Sequence, residues 1–295
     1  MLRFRPGDGG ADVSQEAVSR KDAKAPQRRW RPSGMISRLA AAILDLCLPR
    51  TCAGCRQTWL LAEEGYWCSD CTLGLGWIKS PRCPSCGAPF LDSPQSEDHL
   101  CGDCLKNSFT FDVARSAVLY AGGVRDRIHQ LKFGRQLHWS PALVDLLMET
   151  CDWMKAFGPV DVILPVPLHR QRLQQRGFNQ AGLLAAEFGR RLSMPVRFGV
   201  LGRQRATQPQ TRLGRRERLE NVQGAFAVAK PEWVRDQSVV LIDDVFTTGT
   251  TLNECARVLK RAGARRVAAV TVARVAPDGH LHGVDDPGDT GWRAA

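Results

Sequence analysis

The chain has 295 residues, 43% hydrophobic and 24% charged, which leaves room for one large and one small domain and excludes a disordered or membrane-embedded class. Its formal charge of +11 points to an anionic partner and leaves open whether that is a nucleic acid, a membrane surface or a polyphosphate.

Residues 1–34 are rich in charge, Gly and Pro and show no apolar periodicity, so they read as a disordered tail. The basic RRWR at 28–31 belongs to that solvated tail, and Met35 offers an alternative start. The run LAAAILDLCL at 39–48 is too short to span a membrane, carries Asp45 and lacks a cleavage site behind it. It predicts an amphipathic helix over 35–49 on a cytoplasmic protein without membrane insertion.

Eight of the eleven cysteines follow between 50 and 106 as four C-x-x-C pairs: Cys52/Cys55, Cys68/Cys71, Cys83/Cys86 and Cys101/Cys104, separated by 12, 11 and 14 residues. A two-residue gap lets both thiolates of a pair face one ion, and tetrahedral zinc takes four such ligands, so the block predicts two closed, structural zinc sites. Sequential pairing would give tandem zinc ribbons and interleaved pairing a cross-brace; spacing alone does not choose. A redox or disulfide role fits less well, because a redox C-x-x-C normally comes singly beside a βαβ unit. His99 is expected at the surface, and Cys47, Cys151 and Cys255 as small core residues. Eight thiolates and two divalent ions would reduce the formal charge to roughly +7.

From 110 to 275 strand-like and helix-like stretches alternate, which predicts an α/β domain. Strands are expected near 114–121, 160–167, 225–228, 238–244 and 265–274. Val124, Ile128 and Leu131 share one helix face, and Leu143, Leu147 and Met154 lie on a longer stripe. The unbroken apolar run at 239–242 requires a strand covered on both faces, hence a mainly parallel sheet flanked by helices. In RGFNQA, Asn179 is placed to N-cap the next helix and Phe178 to staple it. The end of the chain, 276–295, is again tail-like.

The stretch VVLIDDVFTTGTT at 239–251 carries the chemistry. A Walker B strand would need a partner P-loop, and no G-x-x-x-x-G-K-[ST] occurs. Acids that merely cap the next helix would account for one aspartate and not for two. Two carboxylates at a strand's C-terminal end can accept hydrogen bonds from a vicinal diol, each charged bond contributing about 1.5–3 kcal/mol. The loop behind them offers hydroxyls, backbone N–H groups and a helix N-terminus, all suited to phosphate. Diol and phosphate side by side describe a ribose 5-phosphate.

This segment resembles the phosphoribosyl diphosphate (PRPP) signature of type I phosphoribosyltransferases. Together with VDVILPVPLHRQRLQQRGFNQA at 160–181, QTRLGRRERLENVQGAF at 210–226 and the cysteine block, the chain resembles the ComF family, amidophosphoribosyltransferase-like proteins associated with DNA uptake, over roughly 45–275. The resemblance implies a double zinc ribbon over 50–106 and a type I phosphoribosyltransferase domain over 110–275. It implies that Asp243 and Asp244 hold the ribose hydroxyls, and Thr247, Thr248, Gly249, Thr250 and Thr251 the 5-phosphate. Pyrophosphate would lie near Arg170, Arg172 or Arg176, and Lys132 in HQLKFGR would make a second phosphate contact. The stretch 203–222 would form the covering loop, with Arg212, Arg215, Arg216 and Arg218 facing the departing pyrophosphate. Gly214 departs from the usual serine there, whereas Gln210, Arg218 and Asn221 match.

The implied activity is a magnesium-dependent transfer from PRPP to a nitrogen acceptor, with Asp243, Asp244, Lys132 and Arg176 as the catalytic group. The alternative is a non-catalytic module of the uptake machinery that binds PRPP or single-stranded DNA, with DNA-uptake proteins as partners.

Overall fold

The computed structural model describes residues 50–57, 59–60, 65–90, 97–106, 108–151, 154, 157–205 and 222–276. The expected terminal tails, apart from Ala276, the helix over 35–49, Cys47 and the covering-loop residues Gln210, Arg212, Gly214, Arg215, Arg216, Arg218 and Asn221 lie outside the described residues.

In chain order the elements are β1 (Arg50–Thr51), β2 (Trp59–Leu60), α1 (Ser69–Leu73), α2 (Gly102–Lys106), β3 (Val113–Leu119), α3 (Gly122–Phe133), α4 (Trp139–Met148), β4 (Val162–Pro165), α5 (Arg170–Arg176), α6 (Gln180–Leu192), β5 (Leu201–Arg203), β6 (Phe226–Val228), β7 (Ser238–Phe246), α7 (Thr250–Arg261) and β8 (Arg266–Arg274). Four strands form one parallel sheet in the order β3-β8-β7-β4. Antiparallel β1/β2 and β5/β6 pairs stand apart from it.

Strand periodicity divides the core into two layers. Val239 and Leu241 of β7, with Val267 and Ala269 of β8, face a layer that includes Leu252, Cys255 and Leu259 of α7. Val240, Ile242, Ala268 and Val270 face the opposite layer, filled by Ile128 and Leu131 of α3, Leu143 and Leu147 of α4, and Leu184 and Phe188 of α6. Both central strands are therefore covered on both faces, the arrangement expected from the continuous apolar run.

Asn179 caps α6 as its sequence position indicates, accepting from Ala181 N–H at 3.1 Å. It also donates to Val166 O at 3.0 Å, which fastens the start of α6 to the chain just beyond β4. Phe178 packs on the same apolar layer as Leu183. Two expectations need adjustment. The stripe through Leu143 and Leu147 ends with α4 at Met148, so Met154 reaches the same layer from a separate segment. The expected strand near 225–228 joins β5 rather than the main sheet, and β5 itself, three residues long, carried no periodic signal.

Among the described residues no helix is long and apolar enough to cross a membrane.

Candidate functional site

Asp243 and Asp244 lie near the C-terminal end of β7, where successive side chains leave on opposite faces. Their environments consequently differ. Asp244 is 4% exposed, and its Oδ2 forms an ion pair with Nζ of Lys132 from the last turn of α3. Asp243 is half-buried, and its Oδ1 accepts the Asp244 N–H at 2.9 Å. Although part of Asp243 is open, burial of its carboxyl raises its pKa from the ordinary 3.8 to about 6, against the opposing pull of Lys132, Arg203 and Arg176. Lys132 is perturbed in the complementary sense. Burial lowers it to about 8, Asp243 holds it up, and Arg176 pushes it down.

The groups acting on Asp243 thus come from three further elements. Arg176 ends α5, stacks over the Phe133 ring at 5.1 Å and donates to Gln180 Oε1 at 2.5 Å. Burial lowers its pKa first, followed by repulsion from Arg172. Arg203 ends β5 and lies over the Phe226 ring at 5.2 Å; burial and Arg172 depress it in the same way. Arg172 therefore belongs to the basic ring through its neighbours. Arg170 is exposed at the first position of α5, and the arginines whose charge reaches Asp243 are Arg176 and Arg203.

Behind the acids the chain turns sharply from β7 into α7. Gly249 has φ +74°, and a Cβ there would overlap Cζ of Phe246, so this turn requires glycine on two counts. Its carbonyl accepts from Asn253 N–H at 2.8 Å. Thr248 and Thr250 share a hydroxyl hydrogen bond of 2.7 Å, while Thr247 is exposed and Thr251 half-buried. Two acids, a threonine-rich turn and the start of a twelve-residue helix are contiguous, as the motif implies. The β5/β6 pair places both ends of the arginine-rich segment close by, with Gly224 N–H donating to Glu254 Oε1 of α7 at 2.7 Å.

The cysteines form two tetrads, Cys52/Cys55/Cys68/Cys71 and Cys83/Cys86/Cys101/Cys104, with the Sγ atoms of each within 4.8 Å of one another. The knuckles are paired sequentially, which resolves the choice the spacing leaves open. The first site has a zinc-knuckle geometry: Cys52 Sγ accepts from Gly54 N–H and Cys68 N–H, both at 3.2 Å. Burial, then neighbouring thiols, push Cys71 up; a hydrogen bond with Cys83, then burial, push Cys86 up. Four thiolates in such a space call for a soft divalent cation, and both donor sets fit zinc. His99 is exposed and stacked on Phe90 at 3.9 Å, outside the tetrads. Cys255 is fully buried and Cys151 half-buried, its Sγ donating to Leu147 O at 3.3 Å.

Comparison with known proteins agrees with this two-part arrangement. A double zinc ribbon domain matches residues 43–105 and a phosphoribosyl transferase domain matches residues 173–283. The chain is 36% identical over 226 residues to the DNA utilization protein YhgH of Shigella flexneri, covering 75% of this chain and 96% of that protein. It is 33% identical to the Competence protein F of Haemophilus influenzae, covering 76% and 96%. The chain belongs to the ComF family. A more distant ComF relative, Competence protein ComFC of Bacillus subtilis, is 28% identical over 74% of this chain and 88% of its own. A solved glutamine PRPP amidotransferase from B. subtilis, complexed with ADP and GMP, overlaps 38% of this ComF chain and 22% of its own, at 21% identity and a TM-score of 0.27.

Two arginines of this ComF protein stand where the sequence does not single them out. Arg203 opens the stretch 203–222 expected as the covering loop, and the structure instead places it at the end of β5, facing Asp243. Arg274 closes β8, where an arginine looks like an ordinary strand end; it is instead 7% exposed and meets Cys86.

Proposed function

We propose that this ComF chain binds PRPP and transfers its phosphoribosyl group to a nitrogen acceptor, releasing pyrophosphate, as part of the handling of incoming DNA in the cytoplasm. The observation that supports it is the contiguity of the acids Asp243 and Asp244, the Gly249 turn and the start of α7, with Lys132 held beside them. The names of the relatives, DNA utilization and competence proteins, support the setting. In this reading 50–106 is the zinc ribbon and 110–275 the transferase domain.

The environments of the two acids divide their tasks. Asp243, the more open one, accepts hydrogen bonds from the ribose hydroxyls, while Asp244 orients Lys132 and contributes to the same diol when Lys132 turns to phosphate. Thr247, Thr248, Gly249, Thr250 and Thr251 receive the 5-phosphate through hydroxyls and N–H groups. Arg172 and Arg176 face the pyrophosphate, with Arg170 at the rim and Arg203 opposite. In the reaction the bond from the anomeric carbon to the pyrophosphate oxygen breaks, and its electron pair leaves with pyrophosphate. A bond from the acceptor nitrogen forms on the other side, and that nitrogen loses a proton to solvent. The chain contributes by fixing the sugar and by placing positive charge where negative charge develops on the leaving group. Asp243 is a hard oxygen donor that would fit magnesium with a largely aqueous shell, and the ion would neutralise charge on the pyrophosphate.

A second reading, a module that holds PRPP or single-stranded DNA without catalysis, is favoured by Phe133. This ring is 64% exposed, follows Lys132 and carries Arg176 on one face, the pairing of aromatic and cation that suits an unpaired base. A pyrophosphate-release assay with PRPP, magnesium and a panel of nucleobases and amines separates the readings. Release that depends on one acceptor supports the transferase, and PRPP binding without release under any acceptor supports the module.

A further inference from the structure

The second cysteine tetrad and the threonine turn lie on one continuous piece of core. Cys83 and Cys86 share their apolar layer with Phe246, Leu252 and Cys255. By contrast Cys52 and Cys68 of the first tetrad form a small cluster with Leu60.

Three contacts join the second tetrad to the turn. Arg274, buried at the end of β8, donates from Nη1 to Cys86 O at 2.8 Å and from Nη2 to Cys86 Sγ at 3.6 Å. The same guanidinium lies 4.1 Å above the centre of the Phe246 ring, the ring that fills the space a Cβ would need at Gly249. Just after Cys104, Phe109 and Phe111 stack at 4.6 Å and present their faces or edges to Phe246 at 6.4 and 6.3 Å. Between them Thr110 N–H donates to Asn253 Oδ1 at 2.6 Å, and Asn253 N–H in turn holds the Gly249 carbonyl.

We infer that the second zinc site positions the phosphate-binding turn, with Arg274 as the positioning residue that transmits its state. The inference rests on reading 247–251 as that turn. A guanidinium this buried needs a compensating negative charge. A zinc ion with four thiolates carries net negative charge and supplies it at Cys86 Sγ. With the metal gone Cys86 is no longer fixed against its three partner cysteines, Arg274 loses the held carbonyl and sulfur it donates to, and Phe246 loses the cation packed on its face. The glycine turn that rests on Phe246 then loses its floor. The first tetrad has none of these contacts, so its metal holds the ribbon and not the turn.

Hydrogen exchange over 247–253, measured on the full-length zinc-loaded protein, decides the inference. Arg274→Gln keeps the shape and removes the charge; it is expected to retain two zinc ions and to exchange about tenfold faster across this segment. Arg274→Lys, which restores the charge, is expected to recover much of the protection. Cys104→Ser is expected to lose one zinc ion with the same acceleration, whereas Cys71→Ser loses one zinc ion and leaves the segment as in the wild type. Wild-type exchange in Arg274→Gln overturns the inference, as does equal acceleration by Cys71→Ser and Cys104→Ser. A PRPP titration of the wild-type protein tests the ligand separately: failure to bind there removes the PRPP reading, while the exchange pattern alone decides whether zinc orders the turn.

Discussion

Replacing Asp243 by asparagine should make the ligand-free protein more stable while disabling its site. In the folded chain this carboxyl ionises at about 6 instead of 3.8, because burial opposes the charge more than Lys132, Arg203 and Arg176 favour it. The folded state therefore keeps a proton that the unfolded chain releases earlier, and ionisation costs stability as pH rises. The penalty is absent well below pH 3.8, grows between that value and about 6, and is constant above it. At 1.36 kcal/mol per pH unit it reaches about 3 kcal/mol. Asparagine has the same shape and keeps an oxygen for the Asp244 N–H, so it removes the penalty with little disturbance. The variant should gain about 3 kcal/mol at pH 8 and only about 1 kcal/mol at pH 4.5. Denaturation of both proteins at each pH reads this directly, with a midpoint rise of about 6–12 °C at pH 8 for a chain of this size. A variant no more stable than the wild type at pH 8, or a gain of equal size at both pH values, refutes the reasoning.

PRPP affinity should be highest between about 6, where Asp243 ionises, and about 8, where Lys132 loses its proton; calorimetry at pH 5, 7 and 9 should find the tightest binding at the middle value, and a monotonic trend contradicts it. Gly249→Ala combines a left-handed φ with overlap on Phe246 and should cost about 2 kcal/mol or more in stability, with PRPP binding lost, as denaturation and titration together would read. Metal analysis should find two zinc ions per chain, one for each tetrad, and chelation should release both; a single ion would contradict the presence of two closed sites.

Much of the architecture was legible because local patterns were strong. The unbroken apolar run before Asp243 required a strand with two covered faces, and Asn179 sits where only a cap makes sense. The four cysteine pairs announced two metal sites, but their order of pairing is a tertiary choice, since similar spacers serve either arrangement. The inequality of Asp243 and Asp244 was in principle readable: neighbours on a strand face opposite ways, so the two acids had to meet different surroundings. What the sequence could not supply was the partner. Lys132 reaches Asp244 on β7 from the helix α3, and no local period encodes such a meeting. The same holds for Arg274 and Cys86, joined across most of the chain. Strand β5 has three residues, too few for alternation to register, which is why Arg203 reads as the start of the covering loop and not as a strand end.

The account stands most directly on a calorimetric titration of PRPP with magnesium into the zinc-loaded wild type and into the double variant Asp243→Asn, Asp244→Asn. It predicts saturable binding to the wild type at one site per chain and no detectable binding to the variant, which still carries both zinc ions. Equal affinity in the two proteins would contradict it.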